Sequence, residues 1–191
     1  MSEAEGPAPE KRMETAQGIL SGVLSLLAER PSFRSLLRRL EAAAGPLLLA
    51  PLLEAPRPLL AAFLHARLGR PLLLLTSGAE AAQRFYEALR LYSPTPEAIL
   101  LFPAADIRPY ERMAPDIGIV AQRLGVLEAL ARWNTTGGPP PLVIASARAV
   151  LQPTLSPPDF SASYQVIQQG MSLPLEETLR RWGEWGYRPA R

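Results

Sequence analysis

Four short apolar runs, each bounded by turn-forming residues, alternate along the chain with longer amphipathic stretches. The runs are Pro46–Ala50, Pro71–Thr76, Ala98–Phe102 and Pro141–Ala145. Runs of this length with continuous apolar character are typical of strands that are buried on both faces of a sheet. The pattern therefore predicts four core strands.

Apolar residues recur at helical spacing before and between these runs. The predicted helices are Met13–Ala28, Ser32–Ala43, Pro58–Leu68, Ala79–Tyr92, Ile117–Trp133 and Ala147–Leu151. Strands that alternate with helices predict an α/β fold with a mostly parallel sheet flanked by helices. In such a fold the loops that follow the strands lie along one edge of the sheet.

A second, smaller α+β unit is predicted after the proline-rich segment Gln152–Pro158, which we interpret as a linker. A strand over Ser163–Gln168 and a helix over Leu173–Trp185 follow it. One strand and one helix do not close a core, so we expect this second domain to be cut short in the sequence. The predicted divisions are a tail and helix over 1–30, an α/β domain over 31–150 and the start of the second domain over 151–191.

Composition and charge exclude several classes of site. The chain has no cysteine, which excludes disulfides, thiolate zinc sites and a cysteine nucleophile. Its formal net charge of +2 gives little general attraction for nucleic acid. Residues 1–11 lack the pattern of a signal peptide, and the apolar stretch Ala42–Leu53 is too short and too interrupted to cross a bilayer. We expect a cytoplasmic protein without a membrane partner.

A phosphate-binding loop is expected between the first predicted strand and the next helix. That segment, Ala50–Pro58, contains three prolines and the acidic residue Glu54, and it has neither glycine nor lysine. Prolines lack the backbone N–H groups that hold a phosphate, and the carboxylate of Glu54 repels one. We interpret Arg57 as a surface residue near a helix start rather than an anion ligand, and we expect no nucleotide hydrolysis here.

Other candidate chemistry is sparse. His65 is the single histidine, so it has no second imidazole for a metal site, and we interpret it as a partly buried or surface residue of a helix. The carboxylates of Asp106, Glu111 and Asp116 share one predicted loop, where they could form an acid/base pair or serve as capping and loop residues. Asp116 is a candidate N-cap for the helix that follows. We predict no catalytic, cofactor-binding or metal-binding residue and assign no partner-binding residue.

The order of residues between Leu101 and Leu130 is more specific than its composition. Phe102-Pro103 ends a predicted strand, Arg108-Pro-Tyr-Glu111 and Ala114-Pro115 follow in a loop, and Gln122-Arg-Leu-Gly-Val-Leu127 lies in a helix. This order resembles the N-terminal region of bacterial transcription-repair coupling factors, which is itself similar to part of UvrB. Flanking segments extend the resemblance from about Pro31 to Arg191: Ser32–Leu36, Arg70–Ser77, Pro141–Ala147, Val166–Gly170 and Gly186–Arg188.

The resemblance implies a degenerate P-loop NTPase-like, or RecA-like, domain over 31–150 that lacks a Walker A loop. It implies that residues 151–191 begin the UvrB-interaction domain, which contacts UvrA. The expected function is a non-catalytic interaction and regulatory module for transcription-coupled nucleotide excision repair. In the full-length family a translocase that uses ATP and Mg²⁺ acts on double-stranded DNA and binds RNA polymerase through other domains, so this segment needs no cofactor.

Two alternatives remain open at this stage. One is a DNA-binding module of the UvrB type, although the stretch Phe102–Met113, where UvrB has a long aromatic hairpin, is short and has Tyr110 as its one tyrosine. The other is a small α/β hydrolase or transferase that uses a carboxylate such as Asp106 or Glu111. Salt-dependent binding to duplex DNA distinguishes the first, and a deep pocket with converging polar groups distinguishes the second.

Overall fold

The apolar runs in the middle of the sequence form a three-stranded parallel sheet. The computed structural model describes residues 20, 22–42, 45–50, 52–105 and 116–187. Strands β1 (Leu72–Thr76), β2 (Ile99–Phe102) and β3 (Leu142–Ser146) are arranged in the order β1-β3-β2. Both pairings are parallel, with Leu142 of β3 opposite Leu72 on one side and Ile99 on the other. The predicted α/β class is therefore confirmed.

Helices precede, separate and follow these strands. Residues 22–29 are helical, and a 3₁₀ turn over Pro96–Ala98 precedes β2. The other α-helices are α1 (Pro31–Ala42), α2 (Arg57–Leu68), α3 (Ala79–Tyr92), α4 (Ile117–Thr136), α5 (Ala147–Leu151), α6 (Pro157–Ser163) and α7 (Leu175–Glu184). Each predicted helix up to Leu151 has a helical counterpart here, apart from residues 13–19, 21 and 43, which lie outside the described part of the chain.

Local sequence signals explain where several helices begin and end. Helix α2 ends at Gly69, whose φ of 59° is the left-handed conformation that glycine adopts without steric cost. Ser146 caps α5, because its side chain accepts a hydrogen bond from the Ala149 amide at 3.2 Å. The same residue ends β3, so the strand passes into the helix without an intervening loop.

Alternating residues of the strands support two separate apolar layers. On one face, Leu142 and Ile144 of β3 pack with α2 and α3, where Phe63 is fully buried and meets Phe33 edge-to-face at 4.9 Å. On the opposite face, Val143 and Ala145 pack with residues of α4 and α5. Strand β3 is consequently buried along its whole length, as its continuous apolar sequence predicts.

The predicted strand over Pro46–Ala50 is wrong. Residues 46–50 have no regular secondary structure, and Leu48 is 88% exposed. Leu49 and Ala50 instead line a shallow cleft beside Phe33 and Leu60. A short apolar run does not by itself distinguish a buried strand from a segment that covers helices, and the proline at its start cannot donate to a ladder.

The described residues form two compact units, which divide between Pro153 and Thr154. In the second unit the predicted strand over Ser163–Gln168 is wrong, because residues 157–163 form α6 and residues 164–168 are irregular. Ser156 caps α6 by accepting a hydrogen bond from the Asp159 amide. A serine followed by proline at the first helical position is a helix-start signal, and here it lies within the segment predicted to be a linker.

The remaining predictions for the second unit concern its helix and its boundary. The helix predicted over Leu173–Trp185 is present as α7, with shorter bounds. Val166 and Ile167, which suggested a strand, are each about half exposed, whereas Tyr164 stacks on Phe160 of α6 at 4.8 Å. The proposed division at 150/151 stays a prediction. Among the helices described in both units, none has the length and apolar character needed to cross a membrane.

The two-sided burial of β3 predicts how unfolding responds to leucine truncation. Leu142→Ala removes a side chain with no exposed surface, and we expect it to lower the free energy of unfolding by about 3 kcal/mol. Leu75→Ala makes the same change in β1, where the side chain is 57% exposed, and we expect a loss below about 1 kcal/mol. Urea unfolding followed by circular dichroism measures both values, and equal losses would contradict the described layering.

Candidate interaction site at the carboxyl edge of the sheet

The carboxyl ends of the three strands lie along one edge because all pairings are parallel. Thr76 is opposite Ser146, and Phe102 is opposite Ala145, so the segments after β1 and β2 and the start of α5 after β3 lie side by side. In open α/β sheets this edge is where ligands bind. The chemistry of these loops therefore decides what the fold can hold.

The turn from β1 into α3 has few features of a phosphate site. The Thr76 hydroxyl donates to the Gly78 carbonyl at 2.9 Å, so its proton is already used within the turn. Gly78 is the N-cap of α3, and Glu80 places a carboxylate in the first helical turn, where it forms an ion pair with Arg84. A negative charge at this position competes with an anion for the positive end of the helix dipole.

The segment Ala50–Pro58, which is predicted to lie where a phosphate loop would be, has a different position in the fold. Because residues 46–50 form no strand, Ala50–Pro58 does not follow a strand of the sheet, and that part of the prediction is wrong. The segment leads into α2, which has Pro56 at its N-cap and Pro58 inside its first turn. Two residues at this helix start therefore have no backbone N–H to donate.

Arg57 stabilises this segment locally. Its guanidinium donates to the Leu52 carbonyl at 3.2 Å and lies 4.0 Å from a carboxylate oxygen of Glu54. Both side chains are substantially exposed, so the ion pair contributes little to stability. The described contacts of Arg57 are those of a surface residue at a helix start, as the sequence predicts.

A groove of about 830 Å³ runs beside β1, between α2, α3 and residues 52–58. Its walls are mainly apolar and include Leu60, Leu64, Leu74 and Phe85. Three of its polar side chains, Thr76, Arg57 and Arg84, are engaged with neighbouring protein atoms. The groove therefore has apolar surface for contact but few free groups for acid/base chemistry.

His65 lies in a helix as expected, but it is almost fully buried rather than partly buried or at the surface. It is buried in α2, and its Nε2 lies 2.6 Å from the carbonyl oxygen of Pro140. The nitrogen that faces a carbonyl must carry the proton, so His65 donates this hydrogen bond. The imidazole thus ties α2 to the residues immediately before β3. Within the described ranges no cluster of three or more histidine or carboxylate side chains has a geometry suited to a metal ion.

The three carboxylates proposed as an acid/base pair or as loop residues have different outcomes. Asp106 and Glu111 lie outside the described residues. Asp116 is the N-cap of α4, and its side chain accepts a hydrogen bond from the Gly118 amide at 2.7 Å. The predicted capping role of Asp116 is confirmed.

Sequence reasoning missed Arg123, which is a buried cation beside this edge. Arg123 lies in α4 and is only 8% exposed. Its Nη1 donates to the Pro103 carbonyl at 2.8 Å, and its Cζ lies 4.1 Å from the centre of the Phe102 ring. The guanidinium therefore caps the carboxyl end of β2 through one charge-assisted hydrogen bond and one cation–π contact.

The remaining contacts of Arg123 reach the end of α5. They are longer: 3.4 Å to the Ala149 carbonyl, 3.5 Å to Gln152 Oε1 and 3.3 Å to the Pro153 carbonyl. These acceptors are neutral oxygens, so desolvation is only partly offset. Burial accordingly lowers the pKa of the Arg123 guanidinium below its ordinary value, although arginine stays charged at neutral pH.

Gln152 makes a second bridge to the same loop. Its Nε2 donates to the Ala105 carbonyl at 2.7 Å, and its Oε1 accepts from the Ala105 amide at 2.7 Å. A side-chain amide that pairs with both backbone groups of one residue fixes that residue as a neighbouring strand would. The loop after β2 is therefore joined to the end of α5 at Ala105 by Gln152 and at Pro103 by Arg123.

A sequence signal for Arg123 does exist. Helical spacing places it on the same stripe as Val126 and Leu130, which pack against the sheet. A charged residue in an apolar stripe must find polar partners when it is buried. The partners themselves are backbone carbonyls from two distant loops, which no periodicity identifies.

The cap at Asp116 predicts a small, specific effect on stability. We expect Asp116→Ala to lower the free energy of unfolding by about 1 kcal/mol, because the Gly118 amide loses its acceptor. Asp116→Asn is the matched control, since its side-chain oxygen can accept the same bond, and it should retain most of the stability. Urea unfolding of both variants measures the difference. A loss in Asp116→Asn as large as that in Asp116→Ala would contradict the capping role.

Known proteins that resemble this chain have one name in common. The transcription-repair-coupling factors of Mycobacterium bovis (strain ATCC BAA-935 / AF2122/97) and Mycobacterium tuberculosis (strain CDC 1551 / Oshkosh) are each 32% identical to it over 170 residues. No protein-family model matches the chain. The match covers 88% of this chain but only 13% of either relative. The resemblance found in the sequence is thus confirmed: the chain is related to a segment of the transcription-repair-coupling factors.

Proposed function

We propose that this chain is an interaction and regulatory module of a transcription-repair-coupling factor and contributes contacts rather than catalysis. The observation that carries the proposal is the match to coupling factors along 88% of the chain. As the names of these relatives say, they couple transcription to repair. A segment that makes up 13% of their length supplies only part of that activity.

The carboxyl edge of the sheet supports a role without nucleotide chemistry. A phosphate site in this fold class uses a glycine-rich turn with several free N–H groups and a lysine. The turn after β1 instead has Thr76 bonded to Gly78 and an acidic residue, Glu80, in the first turn of α3. The start of α2 has Pro56 and Pro58 in place of N–H donors. Neither location supplies the donors that a triphosphate requires.

The proposed assignment of the two regions follows the resemblance. Residues 31–150 are a degenerate RecA-like, UvrB-like domain without a Walker A loop, and residues 151–191 begin the UvrB-interaction domain that contacts UvrA. In the full-length protein, RNA polymerase and double-stranded DNA bind through other domains, and ATP and Mg²⁺ serve a motor outside this segment. The module acts in the cytoplasm, where it helps to recruit UvrA to stalled RNA polymerase.

Calorimetry with nucleotide tests the non-catalytic part of this proposal. We expect titration of ATP and Mg²⁺ into this chain to give no binding heat up to millimolar nucleotide, because neither loop supplies a phosphate cradle. The same titration into a full-length coupling factor is the positive control and should show binding. A micromolar dissociation constant for this chain would overturn the proposal.

Capture of UvrA tests the interaction part. We expect immobilised full-length coupling factor to retain UvrA, and the same protein without the residues that match 151–191 to retain far less. This chain alone should capture UvrA weakly or not at all. Retention of UvrA that is unchanged by the deletion would contradict the assignment of this region to UvrA contact.

A further inference from the structure

Two loops that are distant in sequence are joined by two adjacent bridges beside the carboxyl edge of the sheet. Residues 103–105 follow β2, and residues 152–153 follow α5 and end the first unit. Arg123 contacts both segments, through the Pro103 and Pro153 carbonyls. Gln152 bonds both backbone groups of Ala105. Both bridges therefore join the same two segments. The two side chains also meet, with Arg123 Nη1 lying 3.5 Å from Gln152 Oε1.

We propose that Arg123 and Gln152 form a latch that releases the loop after β2 and the exit from the first unit together. The inference concerns the conformation of this chain and holds whichever partner the module binds. The reason for the proposal is that each side chain holds in place the segment that the other side chain also contacts. Loss of Gln152 removes the tie at Ala105 and frees the peptide that carries the Pro153 carbonyl. Loss of Arg123 frees Pro103 and removes a donor that faces Gln152 Oε1.

Burial makes the contacts of Arg123 costly to break. Arg123 is 8% exposed, and a buried guanidinium that loses its acceptors without regaining water has a large desolvation penalty. Gln152 is only half-buried, so water can replace its bonds to Ala105 more readily. We therefore expect the latch to open first on the Gln152 side.

The consequence is coupling between the segment that follows β2 and the segment that follows α5. Both segments belong to the first unit, which ends at Pro153. A change that opens the latch at Pro153 is therefore expected to loosen Ala105, although no hydrogen bond joins these two residues directly.

Hydrogen exchange of the Ala105 amide in the intact chain, followed by NMR, tests the proposal. Gln152→Leu removes the acceptor of this amide directly and should speed its exchange by at least about tenfold. Arg123→Met has no bond to Ala105, yet it should also speed this exchange by several-fold. Combining the two changes should give no more acceleration than Gln152→Leu alone, because both open the same latch.

Matched variants and a second amide separate latch opening from general destabilisation. Arg132→Met changes an exposed arginine of the same helix, and Gln122→Leu changes an exposed glutamine there; both should leave Ala105 exchange unchanged. The Ile144 amide in β3 reports global unfolding and should accelerate less than Ala105. If Arg123→Met does not fold, Arg123→Lys serves, since it keeps the charge but loses the paired nitrogens.

Three outcomes would overturn the latch. The first is that the Ala105 amide exchanges at the same rate in a folded Arg123 variant as in Arg132→Met. The second is equal acceleration at Ala105 and Ile144. The third is an additive effect in the double variant, which would mean that the two bridges open independently. The latch is supported if exchange speeds up at Ala105 more than at Ile144, and if the double variant exchanges no faster at Ala105 than Gln152→Leu alone.

Discussion

Burial of β3 on both faces is the constraint on which the rest of the structure depends. As the central strand it pairs with β1 and β2, so its register sets the position of both neighbours. Leu142 and Ile144 face the layer of α2 and α3, while Val143 and Ala145 face the layer of α4 and α5. Each large side chain buried here contributes roughly 1.5–3 kcal/mol. The strand also ends at Ser146, which directly begins α5 and brings Gln152 to the loop after β2.

Elements that bury a periodic apolar pattern could be predicted from the sequence. The runs that became β1, β2 and β3 are continuous and lie between well-marked helices, and Asp116 has the position of an N-cap. Predictions failed where a short apolar run had no partner to pair with. Residues 46–50 are irregular and largely exposed rather than part of the sheet, and Ser156 starts a helix within a segment whose prolines suggested a linker. Local pattern does not specify such partners.

The site illustrates the same division between local and long-range information. The lack of a phosphate cradle follows from local features, such as Pro56 and Pro58 at the start of α2 and Glu80 in the first turn of α3. Arg123 could be noticed as a charge within an apolar stripe, but its acceptors come from 20 to 30 residues away in sequence. The polar groups of this edge are thus used to hold loops in place.

The most direct measurement is the rate of ATP hydrolysis by a full-length coupling factor that carries the change matching Gly78→Asp. Gly78 has extended backbone, and a Cβ there meets no atom within 4 Å, so aspartate fits and is a preferred N-cap. The carboxylate of this aspartate would lie at the start of α3, where a parallel sheet of this kind can bind a phosphate after β1. It would therefore repel a phosphate bound there. We expect hydrolysis at the unmodified rate. A loss of about tenfold or more in the folded variant would show that this segment handles nucleotide and would contradict its proposed role as a contact module.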